Sequence, residues 1–277
     1  MADNNQFEYC QSKALPGVSL LDAQMSNFSY SRHTHQEYSF GATCSGEQHF
    51  SCNGEFHKSH SGNVISFNPD MAHDGQSGAD DNLIYSMLYI SPDQMHPLLQ
   101  AANMSGTNEY RLDKTLINDP KLHRQILTLS TMIRSGSSNA ADQEAALFDI
   151  AVTLAHHNGC AASEDKLCST DWRLARITEY IHAHSSDPIS IETLANIAGL
   201  SKYHFLRLFR DHTGITPWQY IVNYRVNQAR LALEKGGKIV DVAFDYGFSD
   251  HSHFNRQFKS IYGTTPKKWQ QNWLAIN

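Results

Sequence analysis

The 277-residue chain has no apolar run approaching the roughly 18–20 residues that a membrane helix needs. Its N-terminal stretch, MADNNQFEYC, lacks the basic n-region and the apolar h-region of a secretory signal. Both absences set the expectation of an intracellular, cytoplasmic protein without a membrane partner. Cysteine is scarce. The five (Cys10, Cys44, Cys52, Cys160, Cys168) are odd in number, scattered and without a CxxC pair. That argues against a disulfide framework and a Cys-rich zinc site, and leaves reduced thiols. A basic excess is also missing, since the formal net charge is −6. The total hides an asymmetry: from Ser169 onward 13 Lys+Arg face 9 Asp+Glu, a net of +4, and the remainder nets −10. Only the C-terminal part is suited to meet a polyanion.

What is present fits two domains, because domains run to about 150 residues, and the 40% hydrophobic content is ordinary for a globular chain. Up to residue 90 the chain is rich in short β-like runs and turns. Asn53-Gly54 between QHFSC and EFHKS is the strongest short hairpin signal. NVISF, closed by Asn68-Pro69, and LIYSMLYI (83–90) follow, a spacing that suggests a sandwich or barrel. Then the period changes. Leu122, Ile126, Leu129 and Ile133 recur at helical spacing, as do Leu147, Ile150 and Leu154. Those two stripes must be buried on the barrel or on another subunit. The polar, aperiodic HHNGCAASEDKLCSTD (156–171) reads as a linker.

The last third repeats itself. LANIAGLSKYHFLRLFRDHTGITP (194–217) aligns with VAFDYGFSDHSHFNRQFKSIYGTTP (242–266). Ala195, Gly199 and Ser201 match Ala243, Gly247 and Ser249; Phe205, Arg207, Phe209, Gly214 and Pro217 match Phe254, Arg256, Phe258, Gly263 and Pro266. Each copy reads as helix, glycine turn, helix, with Ser201 and Ser249 expected as N-caps. Between the copies, Pro217 to Glu234 reads as one helix. At 1.5 Å per residue it spans about 27 Å, close to the roughly 34 Å of a DNA turn.

These residues carry a resemblance. LANIAGLSKYHFLRLFRDHTGITPWQYI, YRVNQARLAL and VAFDYGFSDHSHFNRQFKSIYGTTPKKW resemble the DNA-binding domain of AraC/XylS-type transcription regulators. Leu-Glu-Lys-Gly-Gly-Lys (233–238) departs modestly from the family's short turn. RHTHQEYSF (32–40), Gly46, Gly54, Gly62 to Pro69 and His73 resemble, more loosely, the cupin-like effector domain of such regulators. The resemblance implies a mixed two-domain fold. Residues 1–157 would form a cupin-like β-barrel with trailing α-helices, 158–170 a linker, and 171–277 an all-α domain with two helix-turn-helix motifs. It implies promoter DNA, a small-molecule effector and RNA polymerase as partners, and a homodimer through helices in 119–157.

With the core stripes removed, the first reading helix leaves Lys202, Tyr203, Leu206, Arg207 and Arg210 outward, and the second leaves His251, Ser252, Asn255, Arg256 and Lys259. Arg suits guanine, Asn suits adenine and an apolar side chain meets a thymine methyl. Arg210 and Lys259, a turn further along, suit phosphate. Arg225 and Arg230 on the connecting helix suit phosphate or a structural ion pair equally. In the barrel, His33, His35, Glu37 or Tyr38, and His73 are assigned to an effector pocket. Structural, hydrogen-bonded histidines and a divalent ion on His33, His35 and His73 are the alternatives, with Ser39 and Phe40 standing where a metal-cupin carboxylate would fall. No resident cofactor, metal or catalytic residue is assigned, and an enzyme is not expected. The competing function is a metal-dependent cupin enzyme or metal sensor with a DNA-binding tail.

Overall fold

A computed structural model describes residues 5–78, 82–102, 110–136, 138–158 and 172–276. Its N-terminal part begins with strands β1 (Gln6–Gln11), β2 (Val18–Met25), β3 (Ser29–His33), β4 (Tyr38–Ser45) and β5 (Glu47–Cys52). It continues with β6 (Glu55–His60), β7 (Val64–Phe67), β8 (His73–Ser77), β9 (Leu83–Ile90), helix α1 (Pro92–Ala101) and the short β10 (Leu116–Ile117). All pairs are antiparallel. One sheet runs β1-β2-β9-β4-β7-β10 and the other β3-β8-β5-β6. The Asn53-Gly54 hairpin joins β5 to β6, with φ of 53° and 80° at its two central residues, as a type I′ turn requires.

Helices α2 (Pro120–Ser135) and α3 (Ala140–Asn158) follow. Asp119 caps α2 by accepting from the amides of Lys121 and Leu122, and Gly136 ends it in a left-handed conformation. Of the two destinations open to their apolar stripes, the structure takes the barrel. Leu122, Ile126, Leu129, Leu147, Ile150 and Leu154 are buried with Leu20, Phe40, Val64 and Leu88 of the larger sheet. Residues 156–158, expected in the linker, close α3 instead, and 159–171 lie outside the described residues.

The C-terminal part is helical: α4 (Trp172–Ala183), α5 (Ile191–Ala198), α6 (Lys202–Thr213), α7 (Pro217–Glu234), α8 (Ile239–Asp245), α9 (His251–Tyr262) and α10 (Pro266–Ile276). Thr216 and Gln219 form a capping box that starts α7. One expected cap moves. Asp250, not Ser249, is the N-cap of α9, accepting from the His253 amide at 2.7 Å. Ser201 is the N-cap residue of α6, without a side-chain cap bond. Arg225 is structural. Its guanidinium donates to the carbonyls of Ser185 (2.6 Å), Asp187 (2.8 Å) and Gly247 (2.9 Å), tying α7 to both halves.

This clamp makes the two turn glycines unequal. Both have positive φ, but a Cβ on Gly199 meets open space, whereas one on Gly247 lies 2.9 Å from the Ser186 carbonyl and the Arg225 guanidinium. Gly199→Ala should cost about 1–2 kcal/mol, the left-handed penalty alone. Gly247→Ala should cost about 2–4 kcal/mol, because the neighbours must also move. Urea unfolding of the two variants measures the difference, and equal costs would refute the clamp.

The two parts share a core. Phe7 and Tyr9 of β1, Phe50, Phe67 and Tyr85 of the barrel cluster with Val226, Phe254, Phe258, Tyr262 and Trp269. The Tyr9 hydroxyl donates to the Tyr262 carbonyl at 3.1 Å, and its ring lies 4.1 Å from that of Trp269. Among the described residues, no helix is long and apolar enough to cross a membrane.

Candidate functional site

Two surfaces carry chemistry. The first is the outward side of α6 and α9. Phe205 and Phe209, and likewise Phe254 and Phe258, are buried. The opposite face of α6 therefore presents Lys202, Tyr203, Arg207 and Arg210 to solvent, with Leu206 half-buried. Tyr203 is 82% exposed, an unusual state for a ring unless it meets a partner. On α9, His251, Ser252, Arg256 and Lys259 are exposed, and Asn255 Nδ2 lies 3.1 Å from His251 Nδ1. Lys202 is paired with Glu192 at 2.6 Å on the surface. Asp250 caps α9, and His251 and His253 stand in its first turn; the three are not among the groups of the described residues placed to hold a metal ion.

The second surface lies inside the barrel. His33 ends β3 directly opposite His73, which begins β8, and His35 follows two residues on. His33 donates from Nδ1 to the Ser31 carbonyl (2.6 Å), and His73 from Nδ1 to the Met71 carbonyl (2.8 Å). The Nε2 atoms of His33 and His35 are 3.0 Å apart. One ring nitrogen from each of His33, His35 and His73 lies within 4.8 Å of the others. Burial pushes the His33 imidazolium down to about 4, and burial together with the neighbouring imidazoles holds His35 and His73 well below the usual value. All three are neutral near pH 7.

Two adjoining cavities surround this trio. One, of about 20 Å³, is lined by the three histidines with Ser39, Gln48, Tyr30, Tyr85, Tyr89 and Ile261. The other, of about 10 Å³, lies between His35, Glu37, Tyr89, Arg230, Tyr262 and Trp269. Glu37 faces this second space, paired with Arg230 at 2.6 Å; Arg230 also holds Glu234 at 2.9 Å. That resolves Arg230 as a structural ion-pair partner rather than a phosphate contact. Tyr38 departs from its expected grouping. It is buried on the outer face of β4, its hydroxyl bonded to the Tyr110 carbonyl and to His96, and it lines neither cavity. Glu37 lies in the bend before β4 and Tyr38 is the first residue of that strand, and the two side chains go to different places.

Residues 15–151 match the family described as AraC-like ligand binding domain, and residues 194–272 match that described as Helix-turn-helix domain. The chain belongs to the AraC-type transcription regulators. Such a regulator combines a helix-turn-helix DNA-binding domain with a ligand-binding domain. It is 27% identical over 224 residues to the uncharacterized HTH-type transcriptional regulator YbfI of Bacillus subtilis (strain 168), covering 81% of each chain. It is also 27% identical over 221 residues to the HTH-type transcriptional activator RhaS of Escherichia fergusonii, covering 76% of this chain and 77% of that one. Among solved structures, unsaturated fatty acid bound wild-type ToxT from Vibrio cholerae shares the fold, with TM-score 0.60, 12% identity, and coverage of 94% of this chain and 97% of that one.

In this AraC-type chain, the sequence missed most of the cavity wall. Gln48 was findable, because EQHFSC alternates and places Gln48, Phe50 and Cys52 inward. Tyr85, Met87 and Tyr89 alternate along β9 in the same way. Ile261, Tyr262, Arg230 and Trp269 carry no such signal, since they arrive from the other end of the chain.

Proposed function

We propose that this regulator responds to a small molecule held in the barrel cavities, and that α9 carries the response to promoter DNA. One observation supports this above all. A single helix reaches both surfaces, with Ile261 and Tyr262 walling the cavities at its C-terminal end and His251, Ser252, Asn255 and Arg256 outward nearer its start. Its 12 residues separate the ends by about 18 Å of stiff helix. A ligand that displaces Tyr262 re-aims the reading face.

His33, His35, Glu37 and His73 contact the effector on this reading. Lys202, Tyr203, Leu206, Arg207, Arg210, His251, Ser252, Asn255, Arg256 and Lys259 contact double-stranded promoter DNA. At about 20 and 10 Å³ the cavities have room for little more than a water each. An effector therefore has to displace lining side chains such as Tyr262 to enter; the imidazoles, phenols, Ser39 and Gln48 around them suit an oxygen-bearing molecule. The barrel senses rather than catalyses, the protein works in the cytoplasm, and RNA polymerase is its partner at the promoter. With the stripes of α2 and α3 buried on the barrel, a homodimer through 119–157 uses the outer face of α3, where Phe148 is exposed.

Thermal shift against small hydroxy acids, sugars and an unsaturated fatty acid selects a ligand for the full chain. That ligand should change promoter affinity at least about fivefold. Ser39→Leu, which fills the cavity from β4 and leaves the outward faces of α6 and α9 untouched, should keep basal DNA binding and lose the response. A Ser39→Leu response equal to wild type would remove the barrel as the effector site.

A further inference from the structure

We infer that the edge strand β3 positions both reading helices, Ser31 holding α9 and Arg32 seating α6, and so sets the operator spacing at which the two bind together. The inference rests on α6 and α9 being the helices that read DNA, and it holds with or without a small molecule in the barrel.

Two consecutive residues carry it. Ser31 Oγ donates to the Ser260 carbonyl at 3.2 Å. A carbonyl in the last turn of α9 has no partner within the helix, so the barrel hydroxyl supplies one. Arg32 meets the other reading helix. A Cβ on Gly214, the residue that ends α6, would lie 3.1 Å from Arg32 Nη2 and 3.3 Å from the Ala72 Cβ. The carboxyl end of α6 carries a partial negative charge that suits the guanidinium. The repeat makes the same approach in its second copy, where a Cβ on Gly263 would lie 2.8 Å from the Phe7 ring of β1. Strand β3 is shaped for two directions at this point. It pairs Tyr30 with Gly75 and His33 with His73, so three steps on β3 match two on β8, and the extra residue falls at Ser31-Arg32. Bulges of this kind occur at sheet edges and re-aim side chains, and β3 is an edge strand.

The two helix-turn-helix units are held unequally. The second is fused to the barrel, with Phe254, Phe258 and Tyr262 in one buried cluster with Phe7, Tyr9 and Phe50. The first has its own core, from Leu174 to Ile221, and among the described residues Ala72 is the one barrel side chain in it. Helix α7 sets how far apart the units stand, and Arg225 ties the loop before α5 to Gly247. The seat of Arg32 and Ala72 on Gly214 adds a restraint on α6 itself. Without it, the first reading helix is oriented by α7 and Arg225 alone. Each base pair between half-sites changes their separation by about 3.4 Å and their phase by about 35°. A reader held by β3 accepts one spacing, and a reader released from it accepts several.

The test uses the full chain and an operator selected from a random pool, lengthened or shortened by one to three base pairs between its half-sites. Anisotropy titrations read affinity against spacing. Wild type should lose at least about tenfold for a single base pair, and Ser31→Ala/Arg32→Ala less than about threefold, with affinity for the best spacing retained. Lys58→Ala, which removes an exposed barrel charge on β6, should keep the wild-type profile. A double variant with the wild-type profile overturns the proposal, as does equal broadening in Lys58→Ala. Should the double variant fail to fold, Ser31→Ala and Arg32→Gln are measured separately, and two unbroadened profiles overturn it. A wild-type profile that is flat with spacing, while Arg207→Ala/Arg256→Ala still weakens binding, refutes the role of β3 alone. Undiminished binding by Arg207→Ala/Arg256→Ala refutes the reading helices instead.

Discussion

Arg230→Met is expected to destabilise the chain by about 3–5 kcal/mol, because it strands two carboxylates away from solvent. Arg230 is 8% exposed and holds Glu37 of the barrel and Glu234 of its own helix, with the rings of Tyr262 and Trp269 each 5.9 Å from its guanidinium. Burial raises the Glu234 carboxyl above its usual value, and Arg230 is the charge that opposes the rise. Without the guanidinium that value climbs further. A carboxyl whose folded value is raised contributes stability below it and loses that contribution as pH rises through it. The deficit of the variant should therefore be smallest in mild acid and grow toward neutral pH. In thermal melts it should reach a drop on the order of 10 °C. Adding Glu37→Gln and Glu234→Gln should recover most of the loss, since neutral partners need no counter-charge. A melting temperature equal to wild type at pH 7 would show that the ion pair does not join the two parts.

How much of this was legible depends on how far apart the partners lie in the chain. The β5–β6 hairpin was readable because Asn53-Gly54 is a local instruction, and α7 because Pro217 starts it and its stripe runs on without interruption. The two helix-turn-helix units were readable because the sequence states them twice. The cap of α9 was placed one residue early. Asp250 and Ser249 both have capping oxygens, and the second copy's extra residue shifts the helix start. The destination of the α2 and α3 stripes was not readable, as an apolar face does not name its partner.

The candidate site divides along the same line. His33, His35 and His73 were legible because two sit at strand spacing and the third begins a strand after Asn68-Pro69. Tyr38 was misplaced because the pairing of β3 shifts between Tyr30 and His33, and the chain leaves strand geometry before β4 begins, so alternation cannot be counted across the gap. The roof of the cavity was out of reach. Arg230, Ile261 and Tyr262 lie about two hundred residues away, and only the folded core brings them over the barrel.

Arg207→Ala and Arg256→Ala should each weaken operator binding by about 1–3 kcal/mol, the worth of a bidentate guanine contact. Both side chains are exposed, so neither substitution should alter the melting temperature. The informative quantity is the double variant. If α7, with its 18 residues in one helix, holds both reading helices against one face of the duplex, the losses should add to about 2–6 kcal/mol, since distant and independent sites are additive. If only one motif engages bases, one single variant will be silent and the double will equal the other. Lys259→Ala and Arg210→Ala separate specificity from attraction. Each should reduce the slope of log affinity against log salt by about one and weaken operator and scrambled DNA alike. Anisotropy titrations on an operator selected from a random pool, at two salt concentrations, read all of these. Unchanged affinity in the Arg207→Ala/Arg256→Ala double variant would remove the outward faces of α6 and α9 as the surface that reads DNA.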